Sequence, residues 1–256
     1  MKNRVYLDYN ATTPCDQSVI DHMLPFFNET YGNPSSAQHP YGWLAKEVIT
    51  DSGKIIAKTL GISSDELVFT SGATESINMV LKSFSSKFKL HGNHIITCKT
   101  EHKAVLDTCE FLENYEGVAV TYLDVDQTGL VDLDQLRDAI RPDTVLISIM
   151  HSNNETGVIQ PLKKIKQIVQ EKDIFIFSDA TQSLGKVDLQ DLFDSVDFAC
   201  FSAHKVYGPK GIGMVYAKNN ATHKLLKSLI QGGGQQKSLR GGTLNTPLIA
   251  GFAKAI

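Results

Sequence analysis

Five short apolar runs in this 256-residue chain are each followed directly by a dense polar cluster. Thr70-Ser71-Gly72-Ala73-Thr74-Glu75 follows Phe69, and Thr100-Glu101-His102-Lys103 comes shortly after Thr97. His151-Ser152-Asn153-Asn154-Glu155 follows Met150, Ser178-Asp179-Ala180-Thr181-Gln182 follows Phe177, and Ser202-Ala203-His204-Lys205 follows Phe201. Ligands of open α/β sheets bind beyond the carboxyl ends of the strands. Five such ends carrying functional groups are therefore expected to converge on one site.

Each cluster has a chemistry and, taken singly, an ordinary alternative. Ser71-Gly72-Ala73-Thr74 is a small-residue turn that would expose backbone N–H groups to a phosphate at a helix N-terminus. A simple capped helix would look the same. Asp179 ends an apolar strand, where a carboxylate is costly to bury unless it meets a cation or a strong donor. A loop acid or a helix cap is the alternative. Lys205 suits an amine whose pKa is lowered for Schiff-base chemistry. A surface lysine with a buried stem is the alternative. His102 and His204, taken one at a time, read as structural.

Together these groups ask for a phosphate, an aromatic ring with a basic nitrogen, and an aldehyde that condenses with an amine. Pyridoxal phosphate has all three, and its site needs a lysine and an acid partner for the ring nitrogen. Lys205 is then the Schiff-base lysine, and Asp179 keeps the ring nitrogen protonated. Ala73, Thr74, Ser202 and His204 hold the phosphate, and His102 stacks on the ring. Asn153 and Gln182 reach its phenolic oxygen.

The elements that must carry these residues follow from hydrophobic periodicity. Strands are predicted at 67–69, 94–97, 118–122, 145–150, 174–177, 196–201 and 213–216. Helices are predicted through about residue 84 and over about 104–114, 132–140 and 161–171, with Asp132 an N-cap and Pro161 at a helix start. Residues up to Gly42 read as turn-rich, followed by a helix over about 43–60. Apolar strands alternating with helices imply an α/β fold, its sheet mainly parallel and covered on both faces. The loop from His204 to Gly211 is too short for a helical crossover, so the last two strands are expected to pair antiparallel. Residues 247–256 read as a helix just begun, which suggests a chain cut short. The expected organisation is a segment 1–15, a cofactor-binding domain 16–246, and the start of a helix toward a further domain at 247–256.

Composition narrows the partners. Lys+Arg is 25 against Asp+Glu 28, a net charge of -3, with no basic stripe of the kind nucleic acid requires. No run of 18 apolar residues and no signal-type segment is visible, so no membrane span is expected and a cytoplasmic location is. Four cysteines without a C-x-x-C pair read as free thiols in a reducing compartment. No metal site is assigned.

The motifs also occur as a set. Tyr6-Leu7-Asp8-Tyr9-Asn10-Ala11-Thr12-Thr13-Pro14, Gly32-Asn33-Pro34-Ser35-Ser36, Thr70 to Ser76, Thr100-Glu101-His102 and Asn153-Asn154-Glu155-Thr156-Gly157 come first. Asp179-Ala180-Thr181-Gln182, His204-Lys205, Tyr207-Gly208-Pro209-Lys210-Gly211 and Arg240-Gly241-Gly242-Thr243 follow. In this order the chain resembles the cysteine desulfurases of the NifS/IscS type, within class V of the pyridoxal-phosphate aminotransferases. The resemblance implies a fold type I large domain whose small C-terminal domain is missing. It implies catalysis by Lys205 and by His102, which also moves protons. Asn33 would belong to the substrate-carboxylate site, and Thr243 would be a phosphate ligand donated across a homodimer interface. The implied reaction takes sulfur from L-cysteine as an enzyme persulfide, leaving L-alanine. The sulfur would pass to an iron–sulfur scaffold or another acceptor, for cluster assembly or tRNA thiolation.

Ala203 stands where the family commonly has Gly. The family's nucleophilic Cys and substrate-binding Arg lie in a C-terminal region outside these residues, so no catalytic Cys is assigned and this chain alone is expected to be weak or inactive. Two alternatives accompany the desulfurase reading. One is another class V enzyme, such as a selenocysteine lyase or an aminotransferase. The other is a non-catalytic pyridoxal-phosphate-binding partner of a full-length desulfurase.

Overall fold

A computed structural model describes residues 4–87 and 92–256. The first three residues of the expected N-terminal segment lie outside these. Seven strands form one sheet: β1 (Leu67–Thr70), β2 (His94–Cys98), β3 (Ala119–Leu123), β4 (Thr144–Ser148), β5 (Phe175–Asp179), β6 (Phe198–Ser202) and β7 (Gly213–Ala217). Their order across the sheet is β1-β7-β6-β5-β4-β2-β3. The central pairs from β6 through β5, β4 and β2 to β3 are parallel. β7 is antiparallel to β6, as expected, and also to β1. β1 therefore runs in the same direction as β6, and the carboxyl ends of β1, β2, β4, β5 and β6 share one edge. Those are the five ends that carry the polar clusters.

The strands read as unbroken apolar runs because successive residues pack on opposite faces. Ile96, Ile147, Ile176, Ala199, Phe201 and Met214 face a core shared with Ile56, Ile165, Phe193 and Phe252. Their neighbours Ile95, Leu146, Phe177, Phe198, Cys200 and Val215 face a second core with Ile77, Val80, Phe84 and Val105. The first layer contains α3 (Pro40–Leu60), α6 (Leu133–Ala139), α7 (Leu162–Val169), α8 (Gln190–Ser195) and α11 (Thr246–Ala255). The second contains α4 (Ala73–Lys87) and α5 (Lys103–Phe111).

Asp132 caps α6 by accepting the N–H groups of Asp134 and Gln135. α3 starts three residues earlier than expected, with Pro40 in its first turn and His39 accepting the Gly42 N–H. Two differences are larger. The stretch before Gly42 is not all turns: α1 (Gln17–Met23) and the single turn α2 (Pro25–Asn28) lie there. α1 buries only Val19 and Met23, too little for a visible apolar stripe. The helix expected to reach residue 114 leaves α-geometry at Phe111 and continues as a wider turn, Leu112–Glu116. α11 packs against α1 and α3, with Ile249 and Phe252 fully buried.

Between β7 and α11 lie two single turns, α9 (Asn220–His223) and α10 (Gln235–Ser238). In α10, Gln236, Lys237 and Ser238 all take left-handed backbone angles. The Gln236 side chain accepts the Phe69 N–H at 2.7 Å and donates to the Phe69 carbonyl at 2.6 Å.

His94 opens β2, fully buried between the Thr144 hydroxyl at its Nδ1 and the Thr121 hydroxyl at its Nε2, each 2.8 Å away. Burial, reinforced by Arg141, pushes its pKa down from 6.5 to about 4. The unfolded chain then takes up a proton that the fold refuses. This contribution is complete above pH 6.5 and is lost as pH falls toward 4. We expect wild type to lose about 2–3 kcal/mol more than His94→Gln between pH 7 and 4.5, measured by urea unfolding of both proteins at the two pH values.

Candidate active site

The polar clusters meet in one open cavity of about 480 Å³ at the carboxyl edge of the sheet. Of the expected residues, Ala73, Thr74, His102, Asp179, Gln182, Ser202, His204 and Lys205 line it. The turn from Ser71 to Thr74 leads from β1 into α4. The Thr70 and Ser76 hydroxyls bond to each other at 2.7 Å and shape the turn from beneath. Gly213 of β7 lies behind it. A Cβ there would come within 2.6 Å of the Gly72 Cα and 2.5 Å of the Phe201 carbonyl, so only glycine admits this approach.

Asp179 ends β5 and is 7% exposed. Its Oδ1 accepts the Thr181 N–H at 3.0 Å and the Cys200 thiol at 3.5 Å. Lys205 ends a short 3-10 turn after β6. Its Nζ donates to the backbone carbonyls of Asn10 at 2.5 Å and Ala11 at 2.9 Å. Burial and the nearby Lys186 pull the Lys205 pKa below the ordinary lysine value, against the opposing pull of Asp179 and Asp8. Its amine is thus easier to deprotonate than a surface lysine's, as a nucleophilic amine requires.

His102 caps α5, with Nδ1 accepting the Ala104 N–H at 3.0 Å. That bond places any ring proton of the neutral form on Nε2. The His204 Nδ1 lies 3.0 Å from the Thr12 hydroxyl. Burial, then Lys205 and Lys210, hold its pKa below the ordinary histidine value. Gln182 is fixed at both ends: its Oε1 accepts from Lys186 at 2.7 Å and its Nε2 donates to the Asn10 carbonyl at 2.9 Å.

Three expected residues stand apart from the cavity lining. The Asn153 amide is committed to its own loop, donating to the Thr100 carbonyl and accepting from the Glu155 and Thr156 N–H groups. Its neighbour Asn154 lines the cavity instead. The Asn33 Oδ1 accepts the Ser35 N–H. Thr243 is exposed on the segment after Arg240.

Sequence reasoning missed Ala11 and Thr12 as part of the wall. The Thr13 N–H and hydroxyl both donate to the His204 carbonyl, laying this segment over the lysine turn. Backbone carbonyls carry no side-chain signature; the Tyr6–Pro14 motif was the available signal. Glu101 was also missed. It is 6% exposed, and its Oε1 accepts the Met150 N–H at 2.6 Å, tying the end of β4 to the turn that bears His102. Burial pushes its carboxyl up to about 8, with the charge of Asp179 adding to the rise.

The thiols are poorly placed for nucleophilic work. Burial pushes Cys98 and Cys109 up to about 12 and Cys200 well above the ordinary value. Cys15 is raised too, by burial and by Asp16. None of the four lines the cavity, and a thiolate is the competent nucleophile.

The donor set fits pyridoxal phosphate: an amine of depressed pKa, a buried acid, and a phosphate-sized turn at the start of a helix, all on one cavity. Comparison with known proteins agrees. The chain is 46% identical to a cysteine desulfurase IscS of Anaeromyxobacter sp. (strain Fw109-5), covering 100% of this chain and 63% of that one. It is 45% identical to the IscS of Rickettsia africae (strain ESF-5), covering 98% and 61%. The chain thus spans less than two thirds of the length of these curated relatives. Among solved structures, a NifS-like protein superposes with a TM-score of 0.92 at 44% identity, covering 98% of this chain and 68% of that one. A structure described as SspA in complex with cysteine gives 0.91 at 44% identity, covering 98% and 72%. The Aminotransferase class-V family matches residues 5–256, and this chain belongs to it.

Proposed function

We propose that the protein is a cysteine desulfurase, which converts L-cysteine to L-alanine and passes the sulfur to a protein thiol as a persulfide. The observation that carries this is the placement of Lys205, Asp179 and the Ser71–Thr74 turn on one cavity, joined to the likeness to IscS. The SspA structure, described as a complex with cysteine, supports the substrate.

Pyridoxal phosphate supplies an electrophilic aldehyde carbon and a ring that accepts electron density from the substrate α-carbon. The chain supplies the rest. Lys205 would hold the aldehyde carbon and would act as the base at the substrate α-carbon. Asp179 would keep a proton on the ring nitrogen, and the Thr181 N–H and the Cys200 thiol hold its carboxyl in place. Ala73, Thr74, Ser202 and His204 would hold the phosphate. His102 would cover the ring face and move a proton through Nε2, and Gln182, held by Asn10 and Lys186, would have one amide N–H left for the ring oxygen. Asn153 acts through the loop that presents Asn154.

The sulfur acceptor thiol is none of Cys15, Cys98, Cys109 or Cys200, and lies outside these residues. A thiol R–SH takes the sulfur atom of L-cysteine to become R–S–SH, and the carbon skeleton keeps the hydrogens as L-alanine, so atoms balance. Residues 16–246 form the cofactor domain, and 247–256 pack against its core. Thr243, exposed and off the cavity, is a ligand to the partner's cofactor in a homodimer. Asn33 belongs to the substrate-carboxylate site. An iron–sulfur scaffold or another sulfur acceptor in the cytoplasm receives the sulfur. Among the described residues, no helix is long and apolar enough to cross a membrane.

The test is product analysis of the whole protein with L-cysteine, pyridoxal phosphate and a reductant. Alanine and sulfide in equal amounts are expected. Transfer of the amino group to an oxo-acid, or turnover of selenocysteine alone, would identify a different class V enzyme. Cofactor binding with no alanine, restored by a complete desulfurase, would identify a non-catalytic partner.

A further inference from the structure

The cavity wall contains an acid where an anion is expected to bind. Glu75 lies in the first turn of α4, and Ser71, Ala73, Thr74 and Glu75 all line the cavity. The Glu75 Oε2 accepts the Ser71 N–H at 2.7 Å. Its side chain is only 10% exposed. Burial pushes the carboxyl up, but hydrogen bonds from Arg240 and Ser71 outweigh this and hold it below the usual carboxylate range. At neutral pH it is an anion beside a turn that would receive a phosphate.

One cation answers it. Arg240 donates from Nε to the Glu75 Oε1 at 3.0 Å and from Nη2 to Oε2 at 3.5 Å. It reaches across 165 residues of sequence. Its own segment is anchored separately, by the Gly241 N–H on the Ile230 carbonyl and by Gln236 on β1. The guanidinium is therefore not required to hold its loop in place, and its charge falls on Glu75.

We propose that Arg240 is a positioning residue that acts through Glu75: it neutralises the carboxylate and lets Glu75 clamp the Ser71 N–H without repelling the cofactor's phosphate. This rests on the pyridoxal-phosphate reading above. Without Arg240, Glu75 is a largely buried anion with no cation against it, beside a dianion. Without both charges, the turn keeps its shape, since a glutamine oxygen still accepts the Ser71 N–H. Lys205 and Lys210 are unchanged throughout.

The experiment is equilibrium binding of pyridoxal phosphate and of pyridoxal to the cofactor-stripped protein, followed by absorbance. R240Q should weaken pyridoxal phosphate roughly ten- to a hundredfold and pyridoxal less than about threefold. E75Q should bind pyridoxal phosphate a few-fold more tightly than wild type, since Arg240 then keeps an uncompensated charge near the phosphate. E75Q/R240Q should return to within about threefold of wild type. Equal losses for both ligands in R240Q, or a double variant as weak as R240Q, would show a tether and overturn the proposal. If R240Q does not fold, E75Q decides alone: tighter phosphate-ligand binding supports the proposal, and unchanged or weaker binding overturns it. A wild-type protein that binds neither ligand removes the cofactor reading itself, and the proposal with it.

Discussion

Lys205→Ala leaves a protein that folds but no longer captures pyridoxal phosphate covalently. Wild type mixed with the cofactor should turn yellow, and borohydride followed by peptide mapping should place the label at residue 205. The variant should show neither signal. Turnover should fall by roughly 10³-fold or more, because both the anchoring amine and the base at the α-carbon are lost. Folding should survive. Lys205 is partly exposed, and its hydrogen bonds go to two carbonyls of a segment that Thr13 also fastens. The depressed pKa of Lys205 sets the pH dependence. A lowered amine pKa raises the neutral, reactive fraction at pH 7–8, so capture should reach half its maximal rate below the pH typical of a free lysine. A label on Lys186 or Lys210 in the wild type would contradict the assignment.

Asp179→Asn should retain cofactor but lose about 10²–10⁴ in turnover, since an amide cannot hold a proton on the ring nitrogen. The fold should tolerate it. Asparagine keeps an oxygen for the Thr181 N–H and the Cys200 thiol. Two neighbours report the lost charge with definite sign. Asp179 raises the pKa of Lys205 and of Glu101, so both fall in the variant. The pH profile of covalent capture should move down accordingly. A variant with wild-type turnover would place the ring-nitrogen partner elsewhere.

The sheet was readable in the sequence because strands buried on both faces must be apolar throughout, as Leu146 and Ile147 or Phe198 and Ala199 show by packing into opposite cores. The antiparallel β6–β7 pair followed from a loop too short to cross over. The pairing of β1 with β7 did not, because it joins segments some 145 residues apart and no local pattern encodes it. Helices with a broad apolar face were visible, and the short α6 was visible from its Asp132 cap; α1, which buries only Val19 and Met23, and α8, which has no side-chain cap, were not. In the site, residue type pointed to Lys205, Asp179 and the Ser71–Thr74 turn, which line one cavity. It could not reveal that Asn153 turns inward while Asn154 faces the cavity, because adjacent asparagines are chemically identical. Nor could it show that Asn10 and Ala11 meet the lysine through main-chain oxygen.

The paired bonds from Gln236 to Phe69 have a consequence for solubility. β1 is an outermost strand, and an uncovered outermost strand is a template on which other chains polymerise. The amide of Gln236 mimics the missing neighbour at the middle of that strand, occupying donor and acceptor together. A single side chain thus acts as a plug against fibre-like growth, held there by a backbone turn wound in the opposite hand to an ordinary helix.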